Sequence, residues 1–179
     1  MKCTKMNISE VLMIEPDVYS DNRGYFFESF NQEKWKEVTG LDTVFVQDNQ
    51  SYSVQNVLRG LHYQKYYQQD KLIRVVKGAI YDVAVDINKY SYTCGLWTAA
   101  VLSETNKKQL FIPKGFAHGF LTLSDDAIVL YKTSDYWHPE HEKTIIWNDS
   151  HLNIFWPIDG EPIISEKDMK GTPYYENLL

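Results

Sequence analysis

Cysteine is scarce in this chain, and long apolar runs are missing. Only Cys3 and Cys94 are present among 179 residues, a usage that points to neither a disulfide framework nor a cysteine-based metal site. No apolar run approaches the ~20 residues of a membrane-spanning helix, and the first residues lead into no apolar signal segment. We therefore expect a soluble, cytoplasmic protein without a membrane partner.

An excess of basic residues is also absent. The chain carries 24 acidic and 18 basic residues, for a net charge of -6, and the two signs are interspersed. This balance argues against a nucleic-acid-binding surface. A phosphorylated ligand would need a local basic pocket instead.

Aromatic residues, by contrast, are plentiful. Thirteen tyrosines, eight phenylalanines and five tryptophans suit a β-rich interior or a site that stacks flat rings. The length fits one domain spanning residues 1–179. The hydrophobic fraction of 44% is enough to form a core that needs no disulfide or metal site for its stability.

Short strand-like segments, separated by turn signals, follow one another along the chain. A helix is predicted at 32–38, with Asn31 as its cap and Gly40 just past its end. Strands are predicted at 11–14, 25–30, 43–49, 79–87, 96–102, 109–112, 119–123, 127–132 and 144–147, with a turn at 21–24. Strands at such short spacing indicate a sandwich or a barrel.

The segment 57–64, Val-Leu-Arg-Gly-Leu-His-Tyr-Gln, sets an arginine and a histidine among strand-forming residues. His62 can take up a proton near neutral pH, and Arg59 is shaped to hold a phosphate with two N–H groups. Lys71, one strand further on, offers a compact charge for an oxygen that becomes negative. A lone histidine is more often structural, however, and both cations could be solvated. These three residues alone do not identify an enzyme.

Near the C-terminus, Ser165 and Asp168 have the spacing of a helix capping box. The pattern alone therefore favours a capping role for Asp168.

Four segments then resemble, in order and spacing, the dTDP-4-dehydrorhamnose 3,5-epimerase family. They are Gln-Asp-Asn at 47–49, the segment 57–64, Ile-Pro-Lys-Gly-Phe-Ala-His-Gly-Phe at 112–120 and Trp-Asn-Asp at 147–149. The resemblance runs from about residue 21 to residue 168. It implies an all-β cupin or jelly-roll barrel with a few short peripheral helices, usually a homodimer, with the site inside the barrel.

The family resemblance also implies an activity and a set of residues. The activity is a cofactor-independent epimerisation of dTDP-4-keto-6-deoxyglucose at C3 and C5. In the family pattern the base matches His62, its carboxylate partner Asp168, the acid on the other face Tyr131, and the enolate-stabilising lysine Lys71. The ligand contacts match Arg23, Glu28, Gln47, Asn49, Arg59, His118, Glu142 and Lys167, and the ring that stacks on thymine matches Trp137. Arg23 and Glu28 are expected to reach the site of a partner subunit.

The cupin resemblance raises the question of a metal ion. Metal-binding cupins hold the ion with a His-x-His pair, a glutamate and a later histidine, whereas this chain has His62, Tyr63 and Gln64 at the first pair. Lys71 stands near the place of the acidic ligand and would repel a cation. His62 and His118 alone are too few for a usual site, so we expect no metal.

Other readings stay open at this point. One keeps the mechanism but restricts it to C3 or C5, or to another 4-keto-6-deoxy nucleotide sugar. Another is a non-enzymatic cupin that binds a sugar nucleotide, although mere binding needs no base opposite an acid. The chain also departs from the family pattern at Gln50, Asn56 and Asn88, and Trp137 stands where tyrosine is common.

Overall fold

Antiparallel strands make up most of the structure, a computed structural model that describes residues 1–179. The strands are β1 (Lys2–Lys5), β2 (Leu12–Glu15), β3 (Tyr19–Asp21), β4 (Gly24–Phe26), β5 (Gln47–Val54), β6 (Leu58–Gln64), β7 (Lys71–Lys77), β8 (Ala79–Asp86), β9 (Trp97–Ser103), β10 (Gln109–Ile112), β11 (Phe116–Thr122), β12 (Asp126–Thr133) and β13 (Glu142–Thr144). The helices are α1 (Gln32–Thr39) and α2 (Glu166–Met169), with 3-10 turns at Pro139–His141 and Tyr174–Glu176.

Two large sheets form a barrel. The first has the strand order β1-β2-β10-β7-β12-β5 and the second has the order β13-β6-β11-β8-β9. From β5 to β8, and again from β9 to β13, each connection carries the chain from one sheet to the other. This alternation is the jelly-roll arrangement, so the predicted fold class is confirmed. Strands β3 and β4 pair only with each other.

An apolar core fills one half of the space between the sheets. Ile73, Ile80 and Val129 are fully buried there, and each such side chain contributes about 1.5–3 kcal/mol through burial. Because side chains alternate along a strand, Lys71 on β7 and Tyr131 on β12 continue the same inner face. The other half of the barrel is therefore lined by polar groups.

Helix α1 covers the outer face of the first sheet. The Asn31 side chain accepts hydrogen bonds from two N–H groups of the first turn, and Gly40 ends the helix with a φ of 72°. Trp35 is thereby buried against Leu72 and Phe111. The cap and the stop signal explain why this helix could be predicted from the sequence.

The C-terminal segment covers the outer face of the second sheet. Leu152, Trp156 and Tyr174 pack in one cluster with Val83 and Leu121 of the sheet. This course of the chain brings α2 against β6, so that a residue far along the sequence reaches the barrel interior. None of the helices has both the length and the apolar character needed to span a bilayer.

Most predicted elements are confirmed, with shifted bounds. The helix at 32–38 is α1, the strand at 109–112 is β10, and the turn at 21–24 joins β3 to β4. The prediction of a strand over 25–30 is wrong beyond Phe26, because the chain leaves the hairpin there and runs to α1. Strand β1 is not predicted, since Lys-Cys-Thr-Lys has no apolar alternation at this sheet edge.

Candidate active site

A cavity of about 360 Å³ lies in the polar half of the barrel, a size usual for small-molecule sites. Nine residues singled out in the sequence line it: Gln47, Asn49, Arg59, His62, Lys71, His118, Tyr131, Trp137 and Glu142. They come from both sheets and from the segment that follows β12. The structure thus brings together groups that are far apart in the sequence, since Gln47 and Glu142 are separated by 95 positions.

His62 and Asp168 form a close pair. His62 Nε2 lies 2.6 Å from Asp168 Oδ1, and the other carboxylate oxygen of Asp168 accepts the N–H of Gly60 at 3.2 Å. Burial raises the pKa of Asp168, but the hydrogen bonds from His62 and Gly60 outweigh it and hold that pKa below its usual range. The carboxylate is therefore ionised and able to stabilise a protonated imidazole.

Only the serine half of the capping box predicted near the C-terminus is present, and the capping role predicted for the Asp168 side chain is wrong. Ser165 caps α2 and its hydroxyl accepts the N–H of Asp168 at 3.1 Å. The Asp168 side chain is directed instead at His62, and only 3% of the residue is exposed. The cap and the pairing with His62 are thus compatible, because they use different atoms of Asp168.

Gly60 allows this close approach between strands. Its φ is 107°, and a Cβ atom there would lie 2.6 Å from the backbone oxygen of His118 and 2.7 Å from the Cα of Gly119. A side chain at this position would collide with backbone that cannot move away. Glycine is therefore required at this position of β6, where the strand lies close to β11 and the Gly60 N–H donates to Asp168.

Lys71 and Tyr131 lie on the first sheet, across the cavity from His62. They belong to neighbouring strands, with Thr133 paired to Lys71 and Tyr131 paired to Ile73. Burial lowers the pKa of Lys71 to about 8, although the carboxylates of Glu142 and Asp82 oppose the shift. Burial also raises the pKa of the Tyr131 phenol, so this group carries its proton at neutral pH.

A second histidine–carboxylate pair lies beside the first. His118 on β11 is the direct cross-strand partner of His62, and its Nε2 lies 3.0 and 3.1 Å from the two oxygens of the fully buried Asp82. Sequence reasoning did not single out Asp82 as part of the site. The available signal was its place inside the apolar run of β8, since a buried carboxylate requires a partner.

The mouth of the cavity carries a small charged cluster. Glu142 accepts hydrogen bonds from Lys167 Nζ at 2.5 Å and from Trp137 Nε1 at 3.3 Å. Burial raises the pKa of Glu142, but Lys167, with the nearby His62 and Trp137, holds it below its usual range. The Trp137 ring is about half exposed and thus able to receive a flat group that enters the mouth.

Arg59, Gln47 and Asn49 are held in place by hydrogen bonds to residues of β5. Arg59 Nε donates to the Ser53 hydroxyl and Nη2 to the Tyr52 carbonyl, both at 2.9 Å. Gln47 Nε2 donates to Asn49 Oδ1 at 2.8 Å. Only part of the Arg59 guanidinium is used by these bonds, which leaves N–H groups for an anion.

Asp168 and Lys167 do not line the cavity but bond to the lining residues His62 and Glu142. Arg23 and Glu28 are the two predicted site residues that neither line the cavity nor bond to a residue that does. Arg23 is at the tip of the β3–β4 hairpin, where its exposed guanidinium pairs with Asp21 at 2.6 Å. Glu28 pairs with Lys34 of α1. Neither lines the cavity of its own chain, so their predicted roles depend on a second chain.

The structure brings together no group of three or more histidine, cysteine, aspartate or glutamate side chains that could hold a metal ion. The absence of a metal from the working protein stays a prediction.

Comparison with known proteins agrees with this geometry. The family model described as dTDP-4-dehydrorhamnose 3,5-epimerase matches residues 5–176. The enzyme of that name from Pseudomonas aeruginosa is 51% identical over 174 residues, covering 97% of this chain and 96% of the relative.

Solved structures are equally similar. The epimerase from Legionella pneumophila Philadelphia 1, in complex with dTDP-4-keto-L-rhamnose, superposes with a TM-score of 0.95 at 45% identity, covering 97% of this chain and 93% of the other. A 3′-monoepimerase from Streptomyces bikiniensis, in complex with dTDP-quinovose, gives a TM-score of 0.90 at 31% identity, covering 98% and 88%.

The family model spans nearly the whole chain, and the Pseudomonas and Legionella relatives share about half of its residues. This chain belongs to the dTDP-4-dehydrorhamnose 3,5-epimerase family.

Proposed function

We propose that this chain epimerises dTDP-4-keto-6-deoxy-D-glucose at C3 and C5 to give dTDP-4-keto-L-rhamnose, without a cofactor. One observation carries the proposal: the His62–Asp168 pair and the protonated phenol of Tyr131 lie on opposite sheets around one cavity, with Lys71 on the strand next to that of Tyr131. Inversion of a carbon next to a ketone needs a base on one face and an acid on the other. The two sheets supply these groups.

His62 removes the proton in the first step. One ring nitrogen is bonded to Asp168, so the other is available to the substrate, and Asp168 stabilises the imidazolium that forms. Both C3 and C5 adjoin the C4 ketone, so protons on both carbons are acidic by the same resonance. A single base can therefore serve the two positions in turn.

Lys71 stabilises the enolate in the second step. Loss of the proton leaves negative charge on the former carbonyl oxygen, and an ammonium group in a partly desolvated site is well suited to it. Tyr131 then donates its proton to the carbon from the face opposite His62. Because its pKa is raised, the phenol of Tyr131 keeps its proton until the proton is transferred to the carbanion.

A proton NMR assay tests the proposed reaction. The purified protein is incubated in heavy water with dTDP-4-keto-6-deoxyglucose and without added metal or cofactor. Deuterium should appear at both C3 and C5 together with the inverted product. Exchange at one carbon would replace the proposal by a single-site epimerase, for which the Streptomyces bikiniensis relative is the precedent. Absence of exchange would favour another nucleotide sugar or a binding module.

The activity should fall in alkaline solution because of Lys71. Its pKa is lowered to about 8, so the ammonium that holds the enolate is present below that pH and is lost as the pH rises through it. We expect kcat/KM to decrease by about tenfold per pH unit above this value. In Lys71→Arg, whose guanidinium stays charged, the decrease should move to higher pH even if the rate is lower.

The control for this profile is Lys89→Arg, since Lys89 is exposed and does not line the cavity. It should keep the parental profile. An alkaline decrease that stays at the same pH in Lys71→Arg would contradict the assignment of Lys71.

The proposed enzyme is a homodimer whose sites are completed by the hairpin of the other chain. The β3–β4 hairpin exposes Tyr19, Tyr25 and Phe26 by 58–69% and pairs with neither large sheet, and an isolated hairpin is marginally stable in water. A second copy that covers these rings would explain their exposure. It would also carry Arg23 and Glu28 to the partner's cavity.

Subunit mixing tests this arrangement. Arg23→Ala and His62→Ala proteins are each expected to be weakly active, but dimers exchanged between them contain one site with both residues intact. Activity should therefore recover after exchange and not when the two proteins are kept as separate dimers. No recovery, with exchange verified by mass spectrometry, would count against shared sites.

We also propose that residues 1–179 form a single domain and that the protein works in the cytoplasm. The apolar core between the two sheets and the cavity lined by both of them support the first statement. The diphosphate of the proposed substrate supports the second, because such an anion does not cross a membrane unaided.

A further inference from the structure

Trp137 lies on a segment whose backbone is held by side chains. Residues 134–138 follow β12 and belong to no helix or strand. The N–H of Trp137 donates to Gln47 Oε1 at 3.1 Å, and the N–H of His138 donates to Gln64 Oε1 at 2.6 Å. Two glutamines of the barrel wall therefore hold the backbone that carries the Trp137 ring, while Glu142 accepts from the ring nitrogen itself at 3.3 Å.

Gln64 makes the larger number of these bonds. Its Nε2 donates to the carbonyl of Tyr136 at 3.2 Å and to that of Tyr67 at 2.7 Å, while its Oε1 accepts from His138. The amide thus forms hydrogen bonds to the backbone on both sides of Trp137 and links this segment to the loop after β6. Only 5% of Gln64 is exposed, so water cannot readily replace the lost bonds if the amide is removed.

Ring stacking joins the same two loops. The Tyr67 and His138 rings are stacked with centroids 4.2 Å apart and planes at 26°. Tyr67 also has a positive φ of 55°, which costs free energy for a residue with a side chain. The bond from Gln64 to the Tyr67 carbonyl offsets that cost and keeps the stacked ring in place.

We propose that Gln64 is a positioning residue for nucleotide binding, which fixes the Trp137 ring for the base of the substrate. The inference rests on the proposed function, in which Trp137 stacks on thymine. Gln64 and His62 are two residues apart on β6 and share its inner face. One strand therefore supports both the catalytic histidine and the ring that receives the base, so that the sugar is set at a fixed distance from the histidine.

The variant Gln64→Leu removes the amide at nearly constant volume. The dissociation constant of dTDP, measured by titration calorimetry, should rise about tenfold or more. KM for the sugar nucleotide should rise with it, while kcat falls less than about threefold, because the chemical groups are untouched. Gln55→Leu is the matched control: Gln55 makes one bond to the Leu123 carbonyl away from the cavity, and its loss should leave dTDP binding unchanged.

A double-mutant cycle with Trp137→Ala decides whether Gln64 acts through the tryptophan. In that background Gln64→Leu should weaken dTDP binding by less than about threefold, since the ring to be positioned is gone. A penalty as large as in the parent would overturn the proposal. So would a Gln64→Leu protein that binds dTDP as tightly as the parent.

Three further outcomes would each overturn the proposal or the function beneath it. If Gln64→Leu does not fold, as judged by circular dichroism, Gln64→Glu replaces it, because it keeps the acceptor for His138 and loses both donated bonds; unchanged dTDP binding in that variant would overturn the proposal. A parent protein that does not bind dTDP would overturn the proposed function together with this inference. If the parent binds dTDP and the Gln64 variant binds it equally tightly, this inference alone would be overturned.

Discussion

Replacing His62 by asparagine should lower kcat by about 10²–10⁴, the usual contribution of a general base. Asparagine keeps a hydrogen-bond donor for Asp168, whose carboxylate is buried and bonded to His62 at 2.6 Å, but it cannot take up the substrate proton. KM should change little, because the groups at the mouth of the cavity remain. The measurement is the initial rate of product formation by NMR, together with deuterium uptake at C3 and C5.

His151→Asn is the matched control for this variant. His151 is exposed and stacks on Tyr174 outside the cavity, so its replacement should leave kcat unchanged. A folded His62→Asn protein that turned over within about threefold of the parent would show that the base is another group. His118 would then be the first candidate, since it faces His62 across β6 and β11.

Replacing Tyr131 by phenylalanine should separate proton exchange from inversion. The phenol oxygen makes no hydrogen bond within the protein, and burial holds its proton in place, so its removal leaves no buried partner unsatisfied. Formation of inverted product should fall by about 10²–10⁴. Deuterium uptake with retained configuration should continue, because His62 can still remove a proton and return a deuteron on its own face.

Tyr52→Phe provides the control, because Tyr52 lies on β5 and is mostly exposed on the outer side of the barrel. It should behave as the parent. Equal loss of exchange and inversion in Tyr131→Phe would assign Tyr131 to the first proton transfer. Parental inversion would remove it from the mechanism.

Local signals were sufficient to predict several elements of the fold. Helix α1 has both its cap at Asn31 and its stop at Gly40 within the segment itself. Strand β8 could be predicted because its side chains alternate, and the alternation also separates Asp82 from the face that carries Val83. Strand β1 carries no such pattern, because an exposed edge strand buries little on either face.

The site depends on contacts that no local pattern contains. His62 and Asp168 are 106 residues apart, and the sequence near Asp168 indicates only a helix cap. Their meeting is set by the C-terminal segment, which packs on the second sheet and brings α2 against β6. The family resemblance predicted this pair, whereas periodicity alone could not.

Two other features were beyond sequence reasoning for different physical reasons. The partnership of Asp82 with His118 requires the register between β8 and β11, which only the folded sheets define. The glutamine contacts around Trp137 run from side chains of β5 and β6 to backbone atoms of residues 136–138, and backbone partners leave no trace in a sequence. In both cases the sequence shows the polar residue but not the group to which it bonds.

The central claim is that one base and one opposed acid invert two carbons of the same sugar. It is tested most directly by incubating the parent protein with dTDP-4-keto-6-deoxyglucose in heavy water, free of metal and cofactor, and following C3 and C5 by proton NMR. We predict deuterium at both carbons and conversion to dTDP-4-keto-L-rhamnose. Deuterium at one carbon only, or none at either while the protein binds dTDP, would contradict the account.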